Sequence, residues 1–86
     1  MHYVYVLQAL DDRTVFYLGF SSNLKQRVKA HNAGTNVSTA KHRWRVAYYE
    51  AYLNEGAARR REATLKRSSS MRSRLMVRIR SDLQND

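Results

Sequence analysis

The chain has 86 residues, enough for one small domain with a single hydrophobic core. Sixteen Lys and Arg oppose seven Asp and Glu, for a formal net charge of +9, and a small domain this basic usually meets a polyanion. Cysteine is absent, which excludes disulfide frameworks, cysteine zinc sites and thiol catalysis. Nucleic acid is therefore the first candidate partner, an anionic membrane surface the second, and a merely solvated basic surface the alternative.

The first half of the chain predicts a hairpin followed by a helix. Residues 3–9 are β-branched and aromatic, the segment 11–13 has a turn composition, and a second strand is expected over 14–19. The apolar run is too short for a membrane span and has no basic flank, so we expect a cytoplasmic protein without a signal peptide. The segment 21–23 offers a helix N-cap and Gly34 a stop, which predicts a helix of about a dozen residues.

The second half predicts one more strand and two helices. Residues 35–43 are polar and basic and indicate a loop, and the aromatic, β-branched segment 44–52 predicts a third strand. Asn54 begins the next helix as its cap, and the serines at 68–70 break the chain and cap a final helix. The apolar stripe of that helix is Met71, Leu75, Ile79 and Leu83.

The element order is thus β-β-α-β-α-α. Helices that cover a small sheet give an α+β fold, which we expect to hold a three-stranded mixed sheet flanked by helices. With no proline, linker or repeat in the sequence, residues 1–86 are predicted to form one domain.

Glu62 is the first residue that points to chemistry. It lies on the apolar face of its helix, between Ala58 and Leu65, where a carboxylate is costly unless it is paired, protonated or bound to a metal. The alternatives are an ion pair with Lys66, four residues on, or a rotated helix face. Of the other carboxylates only Glu50 could also face a site, since the remainder lie in a turn, at a helix start or near the C-terminus: Asp11, Asp12, Glu55, Asp82 and Asp86.

Two further groups of residues carry weaker signals. Arg27 and His31 lie four residues apart on one side of the first helix, where they could hold a phosphate or form an ordinary solvated face. Tyr3 and Tyr5 share one face of the first strand and Tyr17 lies in the second, positions at which tyrosine is usually structural.

These residues form a pattern that resembles the GIY-YIG nuclease superfamily, above all its small standalone bacterial members, and the nuclease domain of the excision-repair subunit UvrC. The resemblance runs from about Tyr3 to Lys66. It is carried by five segments in order: Tyr3-Val4-Tyr5-Val6-Leu7, Tyr17-Leu18-Gly19, Leu24 to Arg27, Ala30-His31-Asn32-Ala33-Gly34, and Arg60 to Lys66. It departs from the family at Tyr3 in place of Gly, Leu18 in place of Ile, Phe20 in place of a basic residue, and at 71–74, where an Asn is missing.

The resemblance implies a metal-dependent DNA endonuclease that hydrolyses phosphodiester bonds in DNA repair or processing. One divalent ion, Mg²⁺ or Mn²⁺, would be held by Glu62, while Arg27 braces the phosphate. Tyr5 or Tyr17 would accept the proton of the attacking water as a phenolate favoured by nearby cations, with His31 as an alternative base or hydrogen-bond donor.

Binding is expected from basic side chains, with DNA as partner, RNA open, no membrane role, and a monomer or weak dimer. The predicted contacts are Lys41, Arg43, Arg45 and Lys66. The competing hypotheses are a catalytically weak or silent binding module with the nuclease fold, and a structural protein of a ribonucleoprotein. We expect the five site residues to line one concave patch, namely Tyr5, Tyr17, Arg27, His31 and Glu62.

Overall fold

The fold is described from a computed structural model, in which residues 1–84 are placed. Asp86, assigned above to the C-terminal region, lies outside the described residues. The elements in chain order are β1 His2–Ala9, β2 Phe16–Ser21, α1 Leu24–Asn32, a 3₁₀ turn Val37–Thr39, β3 Trp44–Tyr52, α2 Glu55–Arg67 and α3 Ser69–Gln84. The predicted order of strands and helices is confirmed, and the segment expected to be a plain loop contains the additional turn.

The three strands form one sheet in the order β2-β1-β3, and both pairings are antiparallel. Tyr5 at the centre of β1 pairs with Gly19 on one side and with Tyr49 on the other. The predicted α+β class is confirmed, but the sheet is antiparallel throughout instead of mixed. The reason is that β2 and β3, which run in the same direction across the α1 connection, are separated by β1.

Side chains alternate along β1 and divide the core into two halves. Val4 and Val6 pack against the buried faces of α2 and α3, together with Leu65 of α2. Tyr5 and Leu7 face the opposite side, where the partly buried side chains of α1 cover them. This alternation is the two-residue period of a strand that is buried on both faces.

The hairpin turn fixes where β2 begins. The Asp12 carboxylate accepts hydrogen bonds from the Thr14 backbone N–H and hydroxyl, at 3.0 and 2.6 Å, which keeps Thr14 in the turn. The strand therefore begins at Phe16, two residues later than expected, and continues to Ser21.

Both ends of α1 follow from the residues there. Asn23 is the N-cap, because its side-chain oxygen accepts from the Gln26 N–H at 3.2 Å. At the other end Gly34 has φ of 75° and donates to the His31 carbonyl, while Thr35 donates to the Ala30 carbonyl. This pair of bonds is the Schellman ending that a glycine permits, so the predicted stop is confirmed.

Ser68 separates α2 from α3. Its N–H donates to the Thr64 carbonyl at 2.8 Å, which closes α2, and its hydroxyl accepts from the Met71 N–H at 3.3 Å, which caps α3. The final helix thus begins before Met71, whose side chain is exposed, and its core residues are Leu75 and Ile79. No helix within residues 1–84 is long and apolar enough to cross a membrane.

Candidate functional site

The centre of the site is a buried hydrogen bond between β1 and α1. The Tyr5 hydroxyl lies 2.9 Å from Nε2 of His31, and each residue is only 1% exposed. His31 lies in the last turn of α1, and the glycine ending of that helix sets the position from which its ring reaches the sheet.

Thr39 extends this bond into a chain. Nδ1 of His31 lies 2.8 Å from the Thr39 hydroxyl, and that hydroxyl donates to the Asn36 carbonyl at 3.3 Å. When the Thr39 hydroxyl donates to Asn36, its oxygen can accept the proton of Nδ1, which leaves Nε2 to accept from Tyr5. We assign His31 this neutral Nδ1–H tautomer, in which the free lone pair of Nε2 is directed at the phenol.

Burial shapes the acid–base behaviour of both rings. Burial and the neighbouring Tyr17 raise the pKa of Tyr5 well above its usual value, and the positive charge of Arg27 offsets only part of this. Burial and Arg27 lower the pKa of His31, so the imidazole is neutral at pH 7. Arg27 thus favours the phenolate of Tyr5 as expected of a nearby cation, but burial outweighs this effect and the pKa of Tyr5 remains raised.

Gly19 leaves the space that the Tyr5 phenol occupies. A Cβ at Gly19 would lie 2.5 Å from the Tyr5 hydroxyl oxygen and 2.6 Å from Cζ. The ring of Tyr5 therefore passes over the edge strand β2 at Gly19, the one residue of that strand that has no side chain. Gly19, which ends the segment Tyr17-Leu18-Gly19, is required here because the Tyr5 ring approaches its Cα closely. Its backbone angles do not require a glycine.

Tyr17 forms the outer wall of the same cluster. Its ring centre lies 5.0 Å from that of His31 and 6.4 Å from that of Tyr5. Unlike Tyr5 it is partly exposed, and its hydroxyl makes none of the side-chain hydrogen bonds found among residues 1–84. The two tyrosines therefore differ: Tyr5 is buried and hydrogen-bonded, whereas Tyr17 is only partly buried.

Arg27 lies one helical turn before His31, on the exposed surface of α1. Its charge lowers the pKa of both Tyr5 and His31, which places the guanidinium within electrostatic range of both groups. Together with Ser21 and Ala30 it lines an open cleft of about 320 Å³. A phosphate bound in that cleft would contact the guanidinium. The guanidinium itself stays exposed to solvent when the cleft is empty, so the free protein does not have to bury this charge.

Glu62 approaches from the other helix layer. Its side chain is 21% exposed, and its carboxylate lies 3.3 Å from the Lys66 ammonium, so the ion pair considered from the sequence is present. Its negative charge contributes to the raised pKa of Tyr5, which places it within electrostatic range of that phenol. The neighbouring Ala58 and Leu65 of α2, however, pack on the sheet face opposite to Tyr17.

The expected concave patch is thus formed only in part. Tyr5, Tyr17 and His31 are in contact, Arg27 lies beside them on α1, and Glu62 comes from a helix on the other face. Tyr5 is the one group on which all the others act.

The basic residues expected to bind nucleic acid do not form one surface. Lys41 and Arg43 are exposed in the loop that adjoins the C-terminal end of α1. Arg45 donates to Gln8 at 2.9 Å and lies beside Arg80 of α3, on the opposite face of the sheet. Lys66 pairs with Glu62, so only the loop pair continues the α1 side of the molecule.

Two contributors were not found from the sequence. Thr39 lies in a polar segment that offers no signal, because its role depends on the 3₁₀ turn that presents it to His31. Asn32 accepts from the Trp44 N–H at 2.7 Å and donates to the Trp44 carbonyl at 3.1 Å, which fixes the end of α1 to the start of β3. The family pattern includes this Asn, but its partner could not be deduced.

Glu50 belongs to a separate network on the α2 side. Its carboxylate accepts from the Tyr48 and Tyr52 hydroxyls, both at 2.5 Å, and from Arg61 at 2.9 and 3.0 Å. All its oxygens are engaged, so it is a structural contact between β3 and α2 and not a second metal ligand. Residues 1–84 contain no group of three His, Cys, Asp or Glu side chains that could share an ion.

Comparison with known proteins supplies the family. The model of the GIY-YIG catalytic domain matches residues 1–74. The chain belongs to the GIY-YIG family. A GIY-YIG catalytic domain implies nuclease activity in general, and nucleases of this family act on DNA.

Relatives of this GIY-YIG protein support the assignment. It is 35% identical over 69 residues to a UPF0213 protein of Clostridium perfringens, covering 78% of this chain and 72% of the relative. It is 33% identical over 75 residues to a UPF0213 protein of Streptococcus pyogenes serotype M3, covering 85% and 79%. These names state no activity, and no solved structure matches the chain.

Proposed function

We propose that this GIY-YIG protein is a metal-dependent endonuclease that hydrolyses phosphodiester bonds in DNA, with Tyr5 and His31 as its proton relay. The observation that carries the proposal is the hydrogen-bonded chain Tyr5–His31–Thr39, whose polarity leaves a buried histidine lone pair aimed at a phenol. A general base needs such a lone pair near pH 7.

The relay avoids a free phenolate. The Tyr5 oxygen takes a proton from the attacking water while its own proton passes to Nε2 of His31, so the phenol is neutral before and after the step. The resulting imidazolium is held through Nδ1 by Thr39. This route fits the raised pKa of Tyr5 and the lowered pKa of His31, because the histidine starts neutral and the phenol never carries a full charge.

Arg27 and Tyr17 supply the contacts to the phosphate. The exposed guanidinium of Arg27 can grip two phosphate oxygens and stabilise the charge that develops on them. The hydroxyl of the partly exposed Tyr17 can donate to a phosphate oxygen or orient the water, since it makes none of the side-chain hydrogen bonds found within residues 1–84.

Glu62 is the residue that would hold a divalent ion, Mg²⁺ or Mn²⁺. A partly exposed carboxylate suits a cation that keeps most of its water, and the Lys66 ammonium beside it can move away because that side chain is itself half-exposed. When bound, such an ion supplies positive charge to the phosphate and the leaving oxygen. Because no group of three His, Cys, Asp or Glu side chains lies together within residues 1–84, Glu62 is proposed as the only protein ligand of the ion.

Nucleic-acid binding rests on the excess of Lys and Arg, of which Lys41 and Arg43 lie on the α1 side. Contacts of this kind are largely independent of sequence and dependent on salt. The function is therefore proposed to be structure-directed cleavage in DNA repair or processing, with RNA as a further substrate to test.

The deciding experiment compares two ion pairs of similar geometry on α2. Glu55 pairs with Arg59 at 2.9 Å, two turns before the pair of Glu62 with Lys66. We expect Glu62→Ala to abolish magnesium-dependent nicking of plasmid DNA, with the fold and DNA binding retained. Glu55→Ala and Lys66→Ala should still nick. RNA and branched DNA are tested as substrates in parallel.

A silent binding module is the second candidate, and the Lys66 contact of Glu62 favours it, since that pair occupies the carboxylate without any ion. On this alternative Glu62→Ala and Lys66→Ala have similar, small effects on stability, and neither has an effect on nicking. Wild-type nicking by Glu62→Ala would refute the metal-dependent mechanism, and the absence of nicking by the wild type on any substrate would favour the binding module.

A further inference from the structure

A second open groove lies on the same side of the sheet as the candidate site. α1 packs on this face of the sheet but leaves part of β3 open, and the space between the helix and that part of the strand has a volume of about 640 Å³. We call it the Tyr49 groove. Its sheet side is formed by Tyr3, Val46 and Tyr49, and its helix side by Lys25, Val28 and Lys29.

The floor of the Tyr49 groove is a fixed aromatic ring. Tyr49 is 56% exposed, although it is a large side chain in a regular strand. Its ring packs edge-on against Tyr3, with centres 5.9 Å apart and planes at 68°. An edge-on partner holds the ring while leaving its surface accessible, which is the form of a stacking platform for a planar group.

The helix side of the groove is positively charged. Lys25 and Lys29 lie four residues apart, so both project from the same face of α1, and both are exposed. Neither takes part in the ion pairs found within residues 1–84, and no acidic residue lines the groove. The occupant should therefore combine negative charge with a flat, unpaired ring.

The groove is continuous with the cleft that contains Arg27. Ser22 and Asn23, at the start of α1, line both. A nucleic-acid strand held at Arg27 can thus pass over these small polar residues and reach the ring of Tyr49. A second copy of this chain fits less well, because both copies would carry the same strong positive charge.

We propose that the Tyr49 groove binds an unpaired nucleotide of the DNA substrate, with its base stacked on Tyr49 and the adjoining phosphates held by Lys25 and Lys29. The proposal rests on the proposed function for the nature of the ligand but not on cleavage. It assigns the protein a preference for substrates with a single-stranded segment next to the bond that is cut, since a base within a duplex cannot offer its face.

The test measures stacking directly and without metal. A single-stranded oligonucleotide that contains 2-aminopurine is titrated with the protein in EDTA, and its fluorescence is followed. Wild type should quench it, Tyr49→Leu should abolish the quench and weaken binding about tenfold or more, and Tyr49→Phe should restore both. Leu53→Ala is the matched control, because Leu53 is 88% exposed just beyond β3 and outside the groove.

The charged side of the groove is tested by salt dependence. Removal of two phosphate contacts in Lys25→Ala/Lys29→Ala should reduce the slope of log affinity against log salt by about 1.4 for single strands. Unchanged quenching in Tyr49→Leu, with the fold verified by circular dichroism, would overturn the proposal. So would equal losses for single-stranded and fully duplex DNA, or binding of anionic vesicles or an acidic peptide in preference to the oligonucleotide. Quenching by a protein that does not nick DNA would support nucleotide binding in the Tyr49 groove and contradict the proposed nuclease function. Nicking without quenching would support the nuclease function and contradict nucleotide binding in the groove.

Discussion

The hydroxyl of Tyr5 and Nε2 of His31 are 2.9 Å apart, both residues are buried, and the His31 ring is held on its other side by the Thr39 hydroxyl. A buried phenol hydrogen-bonded to a neutral imidazole is a poor phenolate but a good proton conduit, because its proton has a fixed acceptor. The sequence places the two residues 26 positions apart, and only the docking of α1 on the sheet brings them together.

The Tyr5–His31 bond predicts a large difference between the two tyrosines. Tyr5→Phe should reduce single-turnover cleavage by about 10²–10⁴-fold, since the conduit is lost. It should also lower the free energy of unfolding by about 1–3 kcal/mol, because a buried imidazole nitrogen loses its donor. Tyr17→Phe should cost less in both measurements, since Tyr17 is partly exposed and its hydroxyl makes none of the side-chain hydrogen bonds found within residues 1–84. A larger rate loss in Tyr17→Phe would make Tyr17 the base.

The lowered pKa of His31 predicts where activity is lost on acidification. The relay needs neutral His31, so the cleavage rate should hold through the ordinary histidine pKa of 6.5 and fall only at lower pH. The free energy of unfolding should depend on pH in the same direction. As the pH falls below 6.5, His31 is protonated in the unfolded chain while it is still neutral in the folded protein. The free energy of unfolding therefore decreases until the pH has passed the lowered pKa of His31 in the folded protein.

That pH dependence is measured by cleavage rates and urea unfolding between pH 5 and 8. Nitrogen NMR of His31 should also show the Nδ1–H tautomer. His31→Gln is the control, and it should remove the acid limb of the stability curve. A rate that falls with a midpoint above 6.5 would contradict the relay.

The sequence predicts local features of this site better than long-range ones. The spacing of Arg27 and His31 on one helix side and the ending at Gly34 depend on neighbours along the chain, and the structure has both. The chemistry of Tyr5 does not follow from spacing, because its pKa is set by burial under α1. The pairing of β1 between the other two strands is equally long-range, which is why a mixed sheet was expected.

The same distinction applies to the carboxylates. Tyr48, Glu50 and Tyr52 alternate along β3, so their common face can be read from the sequence. The contact of Arg61 with Glu50 depends on how α2 is rotated about its axis. The hydrophobic pattern of a helix predicts that rotation to no better than about one residue position.

Gly19→Ala tests the space over the edge strand. The new methyl group would overlap the Tyr5 phenol, at 2.5 Å from its oxygen, and the ring must move away from His31. We expect cleavage to fall by about 10²-fold or more, comparable to Tyr5→Phe. Gly56→Ala is the control, because its nearest atoms are 3.1 Å away and belong to side-chain ends. There stability should change by less than about 1 kcal/mol, because the preference of the helix for Ala is opposed by the close contact with the Asn54 cap, and cleavage should persist. Full activity in Gly19→Ala would mean that the position of the phenol is unimportant.

The Glu50–Arg61 network predicts an acid-sensitive contact between β3 and α2. Burial alone would raise the pKa of Glu50, but the hydrogen bonds from Arg61, Tyr48 and Tyr52 outweigh it and hold the pKa below its ordinary value of 4.5. The carboxylate therefore contributes stability that is complete above pH 4.5 and is lost as the pH falls through the lowered pKa.

Glu50→Gln should lower the free energy of unfolding at pH 7 by about 1–3 kcal/mol, because the half-buried Arg61 guanidinium loses its charged partner. It should also flatten the stability curve below pH 4.5. Glu55→Gln is the matched control, since it disrupts an exposed pair worth only about 0.2–1 kcal/mol. Both are measured by urea unfolding from pH 3 to 7. Arg61 immediately precedes Glu62, so loss of the network should also loosen the proposed ligand and reduce nicking at pH 7 by several-fold. Equal stability losses in the two variants would show that the network adds no more than a surface ion pair.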